Sequence, residues 1–161
     1  MTFTVTSNDL IDGGQLGDAQ VYANANISPH LKWSGAPEGT KSYAITCYDP
    51  DAPTGSGFWH WTVANIPADV TELAAGAGMP DGSKLPAGAV QGRTDFGEPG
   101  FGGAAPPAGH GPHRYIFTVF AVDTEHLDVN AQNSGAIYGF NLHFHTLAKA
   151  SIYATFENKG S

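Results

Sequence analysis

Three clusters of this sequence carry side chains that could bind an anion or transfer a proton. They supply six candidate site residues: Asp49, Asp51, His60, Pro106, His113 and Tyr115. An imidazole N–H and a phenolic O–H can each donate a hydrogen bond to an oxyanion. Aspartate carboxylates beside an imidazole can orient it through its second nitrogen, or can hold an ammonium group. A phosphate group, with several acceptor oxygens, suits this set of donors.

Each cluster also has an interpretation that needs no ligand. His60 lies between two tryptophans and could be a hydrogen-bonded histidine of the core. Asp49 and Asp51 are each followed closely by proline and could cap the backbone of an ordinary turn. An enzyme would use the same residues for acid–base catalysis, or as two histidines and one carboxylate around a metal. Because nothing in the sequence demands catalysis, we assign no catalytic residue, metal site or cofactor.

The elements that must position these residues are mostly β-strands. Alternation over 43–48 predicts a strand. The runs 58–66 and 115–122, rich in aromatic and β-branched residues, predict two central strands that are buried on both faces. Shorter runs at 3–6, 31–33 and 152–156 predict further strands. Apolar residues at helical spacing predict one helix over 134–148, through Ile137, Phe140, Phe144, Leu147 and Ala148. The pattern favours a mainly β sandwich of two packed sheets with a C-terminal helix.

A long segment between residues 76 and 112 is rich in glycine and proline, which make up 17 of its 37 residues. Strong strand patterns lie on both sides of it, and no second core follows. A long loop inside a compact domain is usually a binding loop or a lid. We therefore expect the segment to fold back over the domain and help to build a site. Its glycines could bring backbone N–H groups close to an anion.

The length and charge of the chain exclude several classes of function. The 161 residues fit one domain, which we place at 1–161. Seven basic against 15 acidic residues give a net charge of −8, without any basic cluster. This balance disfavours binding to nucleic acid or to anionic membranes. Cys47 is the single cysteine, so we expect no intrachain disulfide. With no signal-peptide or membrane-span pattern, we expect a cytoplasmic protein.

The three clusters, in their order along the chain, resemble motifs of the phosphatidylethanolamine-binding protein family, also called the Raf kinase inhibitory proteins. The resemblance rests on four segments: Tyr48-Asp49-Pro50-Asp51-Ala52-Pro53, Trp59-His60-Trp61, Gly102-Gly103-Ala104-Ala105-Pro106-Pro107 and His113-Arg114-Tyr115. Two further segments, Asp95-Phe96-Gly97 and Asn141-Leu142-His143-Phe144-His145, are similar to its bacterial branch. The likeness extends over nearly the whole chain.

This resemblance implies a β-sandwich with a small anion-binding pocket, contacted by the six candidate residues. It also implies phospholipid headgroups, kinases or proteases as partners, and a homodimer, because bacterial relatives often pair. We therefore expect a non-catalytic anion-binding module for phosphate-bearing groups, such as phosphoethanolamine or a phosphorylated side chain. The alternatives are kinase or protease inhibition by docking onto a protein, and hydrolysis in the same pocket. Arg114 is expected to pair with a carboxylate outside the pocket.

Overall fold

The computed structural model describes residues 2–160, so residues 1 and 161 of the predicted domain lie outside the described part. The chain is mainly β, with two sheets and a helix near its C-terminus, as the sequence predicted. The elements are β1 (Thr4–Thr6), β2 (Gly14–Gln15), β3 (Leu31–Ser34), β4 (Ser42–Asp49), β5 (Phe58–Pro67), β6 (Glu72–Leu73), β7 (Val90–Gln91), β8 (His113–Val122), α1 (Gly135–His145) and β9 (Thr146–Phe156). The smaller sheet has the order β1-β3-β6, and the larger sheet β2-β9-β8-β4-β5-β7.

The long central strands of the larger sheet carry the candidate aspartate and histidine residues. Strand β4 pairs with β5 on one side and with β8 on the other, both antiparallel. Because antiparallel neighbours run in opposite directions, the end of β4 lies beside the starts of β5 and β8. Asp49, the last residue of β4, pairs with Phe58, the first of β5. Tyr48 pairs with Ile116 near the start of β8. Clusters that are distant in sequence therefore meet at one end of the sheet.

The main core lies between the two sheets. Strand β3 turns Leu31 and Trp33 inward, and both are almost completely buried. The Trp33 ring packs edge-on against Tyr43 of β4, with ring centroids 5.5 Å apart. Full burial of a large apolar side chain contributes about 1.5–3 kcal/mol, so this layer fixes the sheets against each other. A second apolar cluster packs the other face of the large sheet under α1, through Ala44, Ala64, Val122, Leu127, Tyr138 and Leu142.

The helix is shorter than the predicted range of 134–148. Its N-cap is Ser134, and its last residue is His145. Residues 146–148 instead begin β9, which is longer than the predicted strand 152–156. The backbone of β8 offers hydrogen-bond partners to these residues, and Val122 lies opposite Thr146. Strand pairing with β8 therefore replaces the last predicted turn of the helix. Neither α1 nor any other helix among residues 2–160 is long and apolar enough to cross a membrane.

The apolar stripe that predicted the helix lies largely in solvent. Phe140 and Phe144 are 63% and 64% exposed, whereas the buried residues of α1 are Gly135, Tyr138 and Leu142. A stripe of this kind normally faces the core. Here Gly135 lets the helix approach Trp59 so closely that a Cβ atom at residue 135 would overlap the indole ring. Close packing on glycine therefore decides which face of the helix is buried.

The glycine- and proline-rich segment 76–112 folds back over the large sheet, as predicted. Within it, β7 pairs with β5 and places Gln91 next to Trp61. The indole N–H of Trp61 donates to Oε1 of Gln91 at 2.8 Å. Phe101 packs edge-on against the same indole, with ring centroids 5.8 Å apart. These contacts hold the segment against β5, the strand that carries His60.

Candidate ligand-binding site

A small open cavity lies where β4 ends and β5 and β8 begin. Its volume is about 170 Å³. Five of the six predicted site residues line it: Asp49, His60, Pro106, His113 and Tyr115. The other lining residues are Ala52, Pro53, Phe58, Phe96, Ala105 and Pro107. The structure therefore brings all three sequence clusters together around one cavity.

A chain of hydrogen bonds runs from a buried carboxylate to a surface histidine. Nδ1 of His113 lies 2.7 Å from Oδ2 of Asp49, and each residue is only 2% exposed. Because an ionised carboxylate can only accept, Nδ1 of His113 carries the proton. Nε2 of His113 lies 2.6 Å from Nδ1 of His110, an exposed loop residue. Asp49 therefore fixes both the orientation and the tautomer of the His113 ring.

The second oxygen of Asp49 has a structural role. Oδ1 accepts a hydrogen bond from the backbone N–H of Asp51 at 2.7 Å. This contact caps the turn after β4, as the alternative interpretation of the Asp-Pro segment proposed. The same carboxylate thus supports the turn with one oxygen and holds the His113 ring with the other.

The His60 ring is held in the cavity wall by the long loop. Its Nδ1 donates to the carbonyl oxygen of Gly102 at 2.7 Å. The ring also packs against three aromatic side chains, with centroid distances of 4.8 Å to Phe58, 5.6 Å to Phe96 and 5.1 Å to Tyr115. Burial lowers the pKa of His60, although the Gly102 carbonyl and Asp49 oppose the shift. His60 is therefore a buried, hydrogen-bonded histidine that also lines a cavity.

Tyr115 places a phenol in the same wall. The residue is 2% exposed. Burial raises the pKa of Tyr115 well above its ordinary value, and the nearby negative charge of Asp49 adds to the rise. The phenol therefore keeps its proton at neutral pH and is available as a hydrogen-bond donor.

Asp51 lies outside the lining of the cavity. Its Oδ2 accepts from the backbone N–H and from Nε of Arg114, both at 2.9 Å, and its Oδ1 accepts from Nη2 of Arg114 at 2.9 Å. The hydrogen bonds from Arg114 lower the pKa of Asp51 to about 2. Arg114 thus pairs with a carboxylate outside the cavity, as predicted. An ammonium group could contact Asp51 fully only by displacing this guanidinium.

Two glycines let the loop approach the strand closely. The N–H of Gly102 donates to the backbone oxygen of His60 at 2.9 Å, in addition to the ring contact with the Gly102 carbonyl. A Cβ atom at Gly102 would overlap the Phe96 ring, and one at Gly103 would overlap the backbone oxygen of Gln20. Glycine is therefore required at residue 103, where a Cβ atom would meet backbone, whereas a Cβ atom at residue 102 would require the Phe96 ring to move.

Phe96 and His110 are among the residues of the site that were not selected from the sequence. Phe96 lines the cavity, and the available signal was its segment Asp95-Phe96-Gly97, which resembles the bacterial branch. His110 contacts His113, and its signal was the spacing of three residues within the loop. Because that loop is irregular, spacing alone could not show that the two rings meet.

The polar atoms of the site are arranged for hydrogen bonding. The Nδ1 atoms of His60 and His113 are each held by a protein acceptor, and the remaining ring nitrogen of His113 contacts His110. Across residues 2–160, no group of three histidine, cysteine, aspartate or glutamate side chains is placed to hold a metal ion. The polar part of the cavity lining consists of imidazole, phenol and carboxylate groups.

Comparison with known proteins agrees with this architecture. The sequence model of the phosphatidylethanolamine-binding protein family matches residues 5–157. The chain belongs to the phosphatidylethanolamine-binding protein family, a class known for ligand binding. Its β-sandwich is thus that of a family member, as the sequence motifs indicated.

Particular relatives come from bacteria. The chain is 55% identical to the UPF0098 protein YbcL of Escherichia coli, over 98% of this chain and 88% of YbcL. It is 56% identical to YbhB of the same organism, over 93% of this chain and 97% of YbhB. The crystal structure of YbcL superposes with a TM-score of 0.95, covering 96% of this chain and 98% of that one. A homologue from Chlamydia trachomatis, 28% identical, has a TM-score of 0.82 and covers 97% of each chain.

Proposed function

We propose that this protein is a non-catalytic binding module for small phosphate-bearing ligands. The observation that carries the proposal is the convergence of His60, His113, Tyr115 and Asp49 on one cavity of about 170 Å³. Cavities for drug-sized ligands usually measure about 300–1,000 Å³, so this one suits a much smaller group. A tetrahedral oxyanion, free or at the end of a longer ligand, fits that size.

The cavity lining combines polar and apolar groups, which supports the proposal. Tyr115 offers a phenolic donor deep in the wall, and the imidazoles of His60 and His113 offer further polar atoms. Phe58, Phe96 and the rim prolines supply apolar surface against which a methylene group of the ligand could pack. Such a division, with a few placed polar groups in an apolar wall, is typical of small-molecule sites.

The acidic groups define a place for a positive charge on the ligand. Asp49 lines the cavity, and its carboxylate would attract the ammonium of a zwitterion such as phosphoethanolamine. Asp51 is the weaker candidate, because it lies outside the cavity lining and its charge is already paired with the Arg114 guanidinium. In this proposal Asp51 therefore contributes at the rim, through its ion pair with Arg114.

Calorimetric titration with inorganic phosphate and with phosphoethanolamine tests the proposal. We expect binding to the unaltered protein, weakened in His60→Ala and His113→Ala by about 1.5–3 kcal/mol, the range for hydrogen bonds to a charged group. His143→Ala, which changes an exposed histidine of α1, is the matched control and should bind normally. Unchanged affinity in both cavity variants would contradict the site, and turnover of a phosphoester by the unaltered protein would contradict the non-catalytic assignment.

A further inference from the structure

The positions of the protons on the imidazole rings indicate which chemical groups of a ligand the cavity can bind. This inference rests on the proposed function. Nδ1 of His60 faces the carbonyl oxygen of Gly102, which can only accept a hydrogen bond. Nδ1 must therefore carry the proton. In the neutral ring, Nε2 of His60 is then a hydrogen-bond acceptor, and among the described residues only Nδ1 of this ring has a hydrogen-bond partner.

His113 is held in a similar way. Its Nδ1 donates to the Asp49 carboxylate, so Nε2 is the ring nitrogen that remains for another partner. In the structure, Nδ1 of His110 lies 2.6 Å from this atom, and either ring can supply the proton of this hydrogen bond. His110 is exposed and stands in the loop between Gly109 and Gly111.

The surroundings of His60 favour its neutral ring. Burial lowers the pKa of His60, which favours its uncharged form. The His60 imidazole lines one small cavity together with that of His113. The charged and titratable groups around them are Asp49 of β4, Tyr115 of β8, Asp95 and His110 of the long loop, and the Asp51–Arg114 pair.

We propose that the cavity selects oxyanions that carry an acidic O–H, such as phosphate and phosphomonoesters, over oxyanions that lack one. A P–O–H group can donate to an imidazole Nε2 atom, while the charged oxygens accept from the Tyr115 phenol. Sulfate and phosphodiesters offer acceptors alone and would place oxygen lone pairs against nitrogen lone pairs. An unmatched polar contact of this kind is costly where water is excluded. The chemistry of phosphate is shared by free phosphate and by lipid headgroups, but an intact headgroup is a diester.

The test compares four probes by calorimetry at about pH 6, close to the second pKa of a phosphomonoester. They are inorganic phosphate, phosphoethanolamine, sulfate and glycerophosphoethanolamine. The last is the diester form of the headgroup and keeps the ammonium group, so it separates a monoester from a lipid source. We expect the first two to bind at least about tenfold more tightly than the last two, as loss of one hydrogen bond to a charged group requires.

Two variants distinguish selectivity between phosphate and sulfate from a general weakening of anion binding. His60→Gln brings an amide N–H that can donate to a bare oxyanion, so it should narrow the ratio between phosphate and sulfate affinity. Tyr115→Phe removes a donor used by every oxyanion, so it should weaken all four probes and leave the ratio unchanged. Equal binding of phosphate and sulfate by the unaltered protein would overturn the selectivity but leave the proposed function standing. Absence of binding by all four probes would overturn both.

Discussion

Nδ1 of His113 and Oδ2 of Asp49 lie 2.7 Å apart and join two strands across 64 positions of sequence. Both residues are almost fully buried. A buried donor or acceptor that loses its partner costs about 1–3 kcal/mol. The pair therefore belongs to the framework of the sheet as well as to the cavity.

Replacing Asp49 by asparagine should lower the free energy of unfolding by about 1–3 kcal/mol. The carboxylate accepts from both the Asp51 N–H and His113 Nδ1, and the single oxygen of an amide cannot serve both donors. Urea unfolding measures the effect. Asp69→Asn, at an exposed position, is the matched control and should change little. Equal stability of the two variants would show that the buried pair contributes nothing.

The Asp51–Arg114 ion pair predicts a specific acid dependence. The pKa of Asp51 is about 2 in the folded protein, because of the hydrogen bonds from Arg114, against about 3.9 in an unfolded chain. Its stabilisation is therefore fully present above about pH 4 and lost as the pH falls through about 2. Since Arg114 is half exposed, we expect Asp51→Asn to cost less than about 1 kcal/mol at neutral pH. The difference between variant and unaltered protein should vanish at the acid end of a pH series of urea midpoints; a constant difference would contradict the assignment.

His60 should remain neutral to a lower pH than a free histidine, because burial lowers its pKa. An unfolded chain takes up this proton below about pH 6.5, so the contribution to stability is present above that pH and lost as the pH falls. Nitrogen NMR of the ring should show the proton on Nδ1, and the His60→Gln spectrum identifies the signals. A titration midpoint of His60 at or above that of a free histidine would be inconsistent with the geometry. So would a proton on Nε2 of the neutral ring.

Two glycines of α1 should respond in opposite ways to alanine. Gly135→Ala places a Cβ atom against the base of the Trp59 side chain, where the indole cannot easily move, and should destabilise the protein by about 1–3 kcal/mol. At Gly139 the nearest atom to a new Cβ lies at 4.0 Å, an ordinary contact. Gly139→Ala should therefore stabilise the helix by about 0.5–1 kcal/mol. Thermal unfolding of both variants checks the contrast, and a loss of similar size in both would refute the packing explanation.

Much of the fold was predictable because its signals are local. The central strands β4, β5 and β8 consist of aromatic and β-branched runs, and each was predicted within two residues of its observed bounds. The end of α1 was not predictable, because Thr146 belongs to a strand only through its pairing with β8, which is a tertiary contact. Likewise, the buried face of the helix depends on the contact between Gly135 and Trp59, which no spacing in the sequence reveals.

The candidate site, like the fold, was predictable only in part. Asp49, His60 and His113 could be selected by residue type, and the order of the strands brings them together. The partner of each side chain could not be read from the sequence, because it depends on distances across the sheet. Asp51 illustrates this limit: it stands two residues from Asp49, yet it turns to Arg114 and leaves the cavity to its neighbour.

The floor and the rim of the cavity belong to different parts of the fold. Asp49, His60, His113 and Tyr115 stand on three adjacent strands, whereas Ala52, Pro53, Phe96, Ala105, Pro106 and Pro107 come from loops. Loops tolerate replacement far better than paired central strands. Evolution can therefore exchange the rim, and with it the shape of molecule admitted, while the proton-bearing groups beneath stay in register. Related proteins can therefore come to prefer different ligands while the fold stays the same.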